Sequence, residues 1–147
     1  MPPLRKAMDR IAILFVDDDE LARSAMVQMV KLHWPMLTTY EAENADNGLE
    51  MYIKHRPEIV ITDIVMPVHN GYWLIEQLRK INKDVLIVAM SGYYDARDFT
   101  DTPEVIAIPK PMDPEYLLAI VAICIEHVKL NREFKSLVKV ILNGKAM

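Results

Sequence analysis

The 147-residue chain is 52% hydrophobic and carries a net charge of −4, enough to close one hydrophobic core but with no basic excess for nucleic-acid binding. Its single cysteine, Cys124, excludes an intramolecular disulfide and a metal-thiolate cluster. No apolar run reaches membrane-spanning length, and the lead over residues 1–10 lacks a cleavage site, so a cytoplasmic protein is expected.

Ile11 to Val16 is a continuous apolar run, the pattern of a strand buried on both faces of a parallel sheet. The acidic cluster Asp17-Asp18-Asp19-Glu20 follows, and Asp19 or Asp18 suits the N-cap of a helix carrying Ala22, Met26, Met29 and Val30. Pro35 ends it. Thr38 to Ala42 is the most polar strand candidate, hence an edge. Asn44 caps a second helix with Leu49, Tyr52 and Ile53 on one face. Ile59 to Asp63 is again a buried strand, and Asn70-Gly71 opens a helix carrying Leu74, Ile75, Leu78 and Ile81. Val85 to Met90 ends in Ser91-Gly92. The segment from Tyr93 to Thr102 has little apolar face, so a fourth helix there is short or irregular. Val105 to Ile108 is a last strand, followed by Pro109-Lys110-Pro111. The final helix starts at Asp113-Pro114 with no breaker before Gly144. Beyond Ile125, Leu130, Phe134, Leu137 and Ile141 form a narrow seam of coiled-coil type that includes His127.

Strands alternating with helices make βαβ units, hence one doubly wound α/β sheet of five parallel strands. Its working crevice lies at the carboxyl ends of the strands. The polar residues arriving there are Asp17, Asp18, Asp63, Ser91 and Lys110. Two carboxylates at ~4 Å repel by about 4 kcal/mol at an effective dielectric near 20, a cost that a divalent cation removes. Hard oxygen ligands that leave room for water and phosphate suit Mg²⁺. The set fits phosphoryl transfer, with Asp63 as nucleophile, Lys110 as counter-charge and Ser91 as hydroxyl donor.

Val16-Asp17-Asp18-Asp19, Asp63-Ile64-Val65-Met66-Pro67 with Asn70-Gly71, Ala89-Met90-Ser91-Gly92 and Pro109-Lys110-Pro111 together resemble the receiver domain of two-component response regulators. The resemblance runs over residues 11–125 and implies a flavodoxin-like sheet of order 2-1-3-4-5. It leaves residues 126–147 as a helical extension that dimerises or links. It implies that Asp63 accepts a phosphoryl group from a phosphohistidine on a histidine kinase or histidine phosphotransfer protein. Mg²⁺ would be held by Asp18, Asp63 and the backbone carbonyl of Val65, with Asp17 acting through water. Lys110, with a cis bond to Pro111, and Ser91 would bind the phosphate. The family often carries an aromatic residue three positions before the lysine; here that position is Ala107.

The chain is thus expected to be a switch, not a turnover enzyme, with no nucleic-acid or membrane partner and with the last helix as a homodimer contact. Two other readings exist. A phosphohydrolase of the haloacid dehalogenase type would use Asp17 as nucleophile, and a non-switching interaction module would keep the fold alone.

Overall fold

A computed structural model describes residues 10–92 and 105–146. The strands are β1 (Ala12–Val16), β2 (Thr38–Ala42), β3 (Ile59–Asp63), β4 (Leu86–Ser91) and β5 (Val105–Pro109). The helices, numbered among the described residues, are α1 (Glu20–His33), α2 (Ala45–His55), α3 (Gly71–Ile81) and α4 (Pro114–Ala146). All strand pairs are parallel and the order is β2-β1-β3-β4-β5, as expected, with β2 at the edge. The irregular helix expected over Tyr93 to Thr102 falls outside the described residues.

Alternation along each strand divides the core into two layers. Ile13 and Phe15 of β1 and Ile59 and Ile61 of β3 face α1 and α4, packing with Met26, Val30, Leu117 and Val121. Leu14, Val16 and Val60 face the other way, against Tyr52 of α2 and Leu74 and Leu78 of α3. This two-sided burial is why the inner strands read as unbroken apolar runs.

The caps form where the polar residues precede the apolar periods. Asp19 accepts from the amides of Leu21 and Ala22, Asn44 from Asn47 and Asn70 from Trp73. Two helix faces differ from expectation. In α1 the buried residues are Met26, Val27 and Val30, while Ala22 is exposed. In α2 they are Ala45, Gly48 and Tyr52, and Ile53 is exposed. Gly48 explains the second shift: a Cβ there would stand 3.0 Å from Val16 Cγ2, so α2 lies close on β1 along its smallest residues.

α4 packs Leu117, Val121, Cys124, Ile125 and Val128 into the core. It runs back from the Asp63 end of the sheet to the opposite end. There Arg132 pairs with Glu58 at 3.1 Å, and Glu58 also accepts from the Ala12 amide at 2.7 Å. Among the described residues no helix is long and apolar enough to cross a membrane.

Candidate functional site

The carboxyl ends of β1, β3, β4 and β5 bring the candidate residues together. Asp17 is the first residue after β1 and is buried. Its amide donates to the Ala42 carbonyl at 3.1 Å, and its Oδ1 accepts from the Asp19 amide at 3.0 Å. Arg23, one turn into α1, reaches back to the Asp17 carbonyl at 2.6 Å and to Glu41 at 3.1 Å, fixing the loop that carries the acidic doublet. Asp18 is exposed.

Asp63 ends β3 with a side chain only 6% exposed, and its Oδ2 lies 2.9 Å from Lys110 Nζ. Lys110 is positioned by its own amide, which donates to the Ser91 carbonyl at 2.9 Å, and the bond to Pro111 is cis as expected. Gly71 lets α3 begin hard against this strand end. Its amide donates to the Ile64 carbonyl at 2.7 Å, and a Cβ would run into the Asp63 carbonyl and the Ile64 backbone. Ser91 stands on β4 one residue beyond Met90, the register partner of Asp63. Its Oγ is buried without a hydrogen-bond partner among the described residues. An acceptor oxygen arriving beside this hydroxyl would give it a partner.

Asp17, Asp18 and Asp63 each offer a carboxylate oxygen, all within 4.8 Å of one another. Burial raises the pKa of Asp17, and the nearby charges of Asp63 and Asp18 raise it further, against the opposing pull of the Asp19 amide and Lys110. Three carboxylates and one ammonium leave a charge of −2, which one divalent cation neutralises. The donor set is all oxygen and part of it is exposed, which fits Mg²⁺ with several of its waters retained. Val65, whose backbone carbonyl is the expected further ligand, sits in the turn out of β3 with its side chain 69% exposed.

That turn holds features that do not stand out in the sequence. Val68 has φ of 69° and is 93% exposed, an αL conformation that strains a β-branched residue. Val68→Gly therefore removes strain without removing packing. It should stabilise the fold by about 1 kcal/mol in urea denaturation, whereas a destabilised variant would contradict this geometry. The next residue, His69, donates from Nδ1 to the Asp46 carboxylate at 3.1 Å and stacks on Trp73 at 3.9 Å, bracing the turn against α2 and α3. Histidine and aromatic residues are too common on helix faces for this brace, or the role of Arg23, to be foreseen from spacing. On β5, Ala107 pairs in register with Ala89 and is half-buried.

An open five-stranded parallel sheet of order 2-1-3-4-5, with an acidic pocket at its switch point and a lysine reaching it from the end of β5, defines a doubly wound α/β module with its polar site at the strand ends. Residues 13–122 match the response regulator receiver domain, and the chain belongs to that family. It is similar to NtrC, a DNA-binding transcriptional regulator of Azospirillum brasilense, at 31% identity over 118 residues, 78% of this chain and 24% of that protein. It is also similar to the autoinducer 1 sensor kinase/phosphatase LuxN of Vibrio campbellii, at 31% identity over 86 residues, 58% of this chain and 10% of LuxN. The chain thus spans a quarter or less of the length of these curated relatives. Among solved structures, a two-component transcriptional regulator AraC from Clostridium phytofermentans superposes with a TM-score of 0.74 at 26% identity, covering 84% of this chain and 98% of that one. The family is a signalling module, not an enzyme family, and the phosphohydrolase reading is not favoured.

Proposed function

We propose that this chain is a phosphorylation-dependent receiver in which Asp63 takes a phosphoryl group from a phosphohistidine on a sensor kinase or histidine phosphotransfer protein. The observation that carries the reading is Asp63 itself: buried, ion-paired to Lys110, and grouped with two other carboxylates. A carboxylate oxygen of Asp63 attacks phosphorus, the P–N bond breaks, and the imidazole leaves as the neutral base after protonation. Asp18, Asp63 and the Val65 carbonyl would hold Mg²⁺, with Asp17 acting through water; when bound, the ion neutralises charge on the phosphoryl oxygens. Lys110 exchanges its contact with the carboxylate for one with the phosphate. Ser91 Oγ, buried and unpartnered among the described residues, gains an acceptor.

Transmission then starts from Ser91 and the backbone behind it, because Ala107 has no ring to rotate. The chain works in the cytoplasm, with the last helix as its contact to a second copy. The test is transfer of label from a phosphorylated histidine phosphotransfer protein to this chain, Mg²⁺-dependent and stoichiometric. Absence of transfer from every histidine donor tried, together with no labelling by small phosphodonors, would overturn the reading.

The lifetime of the acyl phosphate follows from the turn after β3. The exposed Val65 side chain, two positions past Asp63, has no group to orient a hydrolytic water. Self-dephosphorylation should therefore be slow, with a half-life of minutes or longer. Val65→Gln, which supplies an amide, should shorten it several-fold. A wild-type half-life of seconds would contradict this account.

A further inference from the structure

The acceptor chemistry leaves the outer face of α4 without a role. Beyond Arg132, where the helix passes the end of the sheet, residues 133–146 continue for about 20 Å at 1.5 Å per residue. Ile123, Leu130, Phe134, Leu137 and Ile141 are between 57% and 66% exposed, and His127 is exposed among them. Their spacing alternates between four and three, the 3.5-residue repeat of a left-handed two-helix seam. Within the domain the intervening residues Val121, Cys124 and Val128 are buried against the core. Ile123, Leu130 and Phe134 therefore lie on the side of α4 turned away from the core, with His127 at the edge of that face, where it borders a cleft shared with Glu58 and Asn82, and the seam continues from the domain into the extension.

We infer that this face pairs with a second copy of the chain as a parallel, in-register two-stranded coiled coil, formed whether or not Asp63 is phosphorylated. The inference rests on the reading of the last helix as a dimer contact and is independent of the acceptor chemistry. In this arrangement Ile123, Leu130 and Leu137 meet their own copies, as do His127, Phe134 and Ile141 at the alternate positions. The flanking pairs bring no like charges together: Glu126 lies across from Asn131 of the partner subunit and Glu133 from Val138 of the partner subunit. Lys129, Arg132, Lys135 and Lys139 fall outside the seam and stay with solvent or, for Arg132, with Glu58.

The alternatives are poorer. An antiparallel pairing that sets Phe134 against Leu130 places Glu133 against Glu133 of the partner subunit. Moved one heptad, it leaves Ile123 uncovered. A parallel slip of one heptad sets His127 against Phe134 of the partner subunit, so the one polar seam residue penalises wrong registers. The parallel dimer places both Asp63 pockets at the same end. The seam is complete with Asp63 unmodified, so phosphorylation is not needed to create it.

Sedimentation velocity on the full chain should show a dimer for both wild type and Asp63→Asn. The pair of substitutions Leu130→Glu and Leu137→Glu should weaken dimerisation at least about 100-fold, since two apolar pairs are replaced by like charges. Both side chains are exposed in the protomer, so circular dichroism and Asp63 labelling should be retained; Leu137→Asn is a milder second variant with the same expected direction. Leu137→Cys should form a symmetric disulfide-linked dimer under mild oxidation, with buried Cys124 unreactive. A monomeric wild type, or a dimer that appears only with phosphodonor, would overturn the inference. A dimer that Leu137→Cys fails to cross-link would overturn the parallel register.

Discussion

Asp63→Asn is expected to abolish Mg²⁺-dependent labelling by a small phosphodonor, while wild type takes up one acid-labile phosphoryl group per chain. The amide is close in shape to the carboxylate but is not a nucleophile toward phosphorus, and nothing else at the site replaces it. Asp17 has its Oδ1 committed to the Asp19 amide and is held protonated to higher pH than an ordinary aspartate. Asp18 is exposed and lacks the 2.9 Å contact with Lys110 that Asp63 has. Replacing Asp63 also removes the partner of a lysine whose side chain is 40% exposed, so Lys110 finds water and the fold survives. Loss of labelling in a folded variant is thus the expected outcome. Labelling that persists in Asp63→Asn, or that Asp17→Asn abolishes by removing the phosphorylated residue itself, would return the phosphohydrolase reading.

The second large effect is on stability. At neutral pH the acidic group is a liability without a cation. The folded Asp17 has a raised pKa, caused first by burial and then by the charges of Asp63 and Asp18. A raised folded pKa means that the native state binds the proton more tightly than the unfolded chain does. Stability from this group is therefore greatest below the ordinary carboxylate range, near pH 4, and falls as pH rises above it. Asp17→Asn removes the charge and should raise Tm at pH 7.5 in EDTA by several degrees, with the gain shrinking as pH approaches 4. Mg²⁺ should do the same for wild type: tenfold excess over its Kd is worth about 1.4 kcal/mol, roughly 4 °C. The Mg²⁺ increment should be reduced in Asp17→Asn and lost in Asp18→Asn. Differential scanning fluorimetry over pH and Mg²⁺ checks both signs. A wild-type Tm that is indifferent to Mg²⁺, or an Asp17→Asn variant less stable at pH 7.5, would contradict the electrostatic account.

Much of this architecture is legible in the residues because of where the burial lies. β1, β3 and β4 are covered on both faces and read as unbroken apolar runs, while β2, at the edge, reads as polar. Asp17, Asp63 and Ser91 stand at the ends of such runs and Lys110 directly after the shorter apolar run of β5, so periodicity brings the four to one end of the sheet. What could not be read depends on contacts distant in the chain. Ile53 looks like a core residue until Gly48 is seen lying on Val16 and Leu74, which rotates the buried stripe by one position. Arg23 bonds a backbone carbonyl, and Val68 is defined by a torsion angle; neither leaves a pattern in composition. In the first half of α4, apolar residues lie on nearly every side. Only the placement of Val121, Cys124 and Val128 against the core shows that Ile123 faces outward and extends the seam of Leu130 and Phe134 into the domain.

The most direct measurement is to locate the phosphoryl group chemically. The chain is incubated with Mg²⁺ and a small phosphodonor, the acyl phosphate is reduced with borohydride, and the product is mapped by peptide mass spectrometry. Reduction converts a phosphorylated aspartate into homoserine and leaves unmodified aspartates intact. Homoserine is expected at position 63 and at no other aspartate, with none formed when Mg²⁺ is withheld. Homoserine at position 17 or 18, or an Asp63 unmodified while phosphate is carried elsewhere, would contradict it.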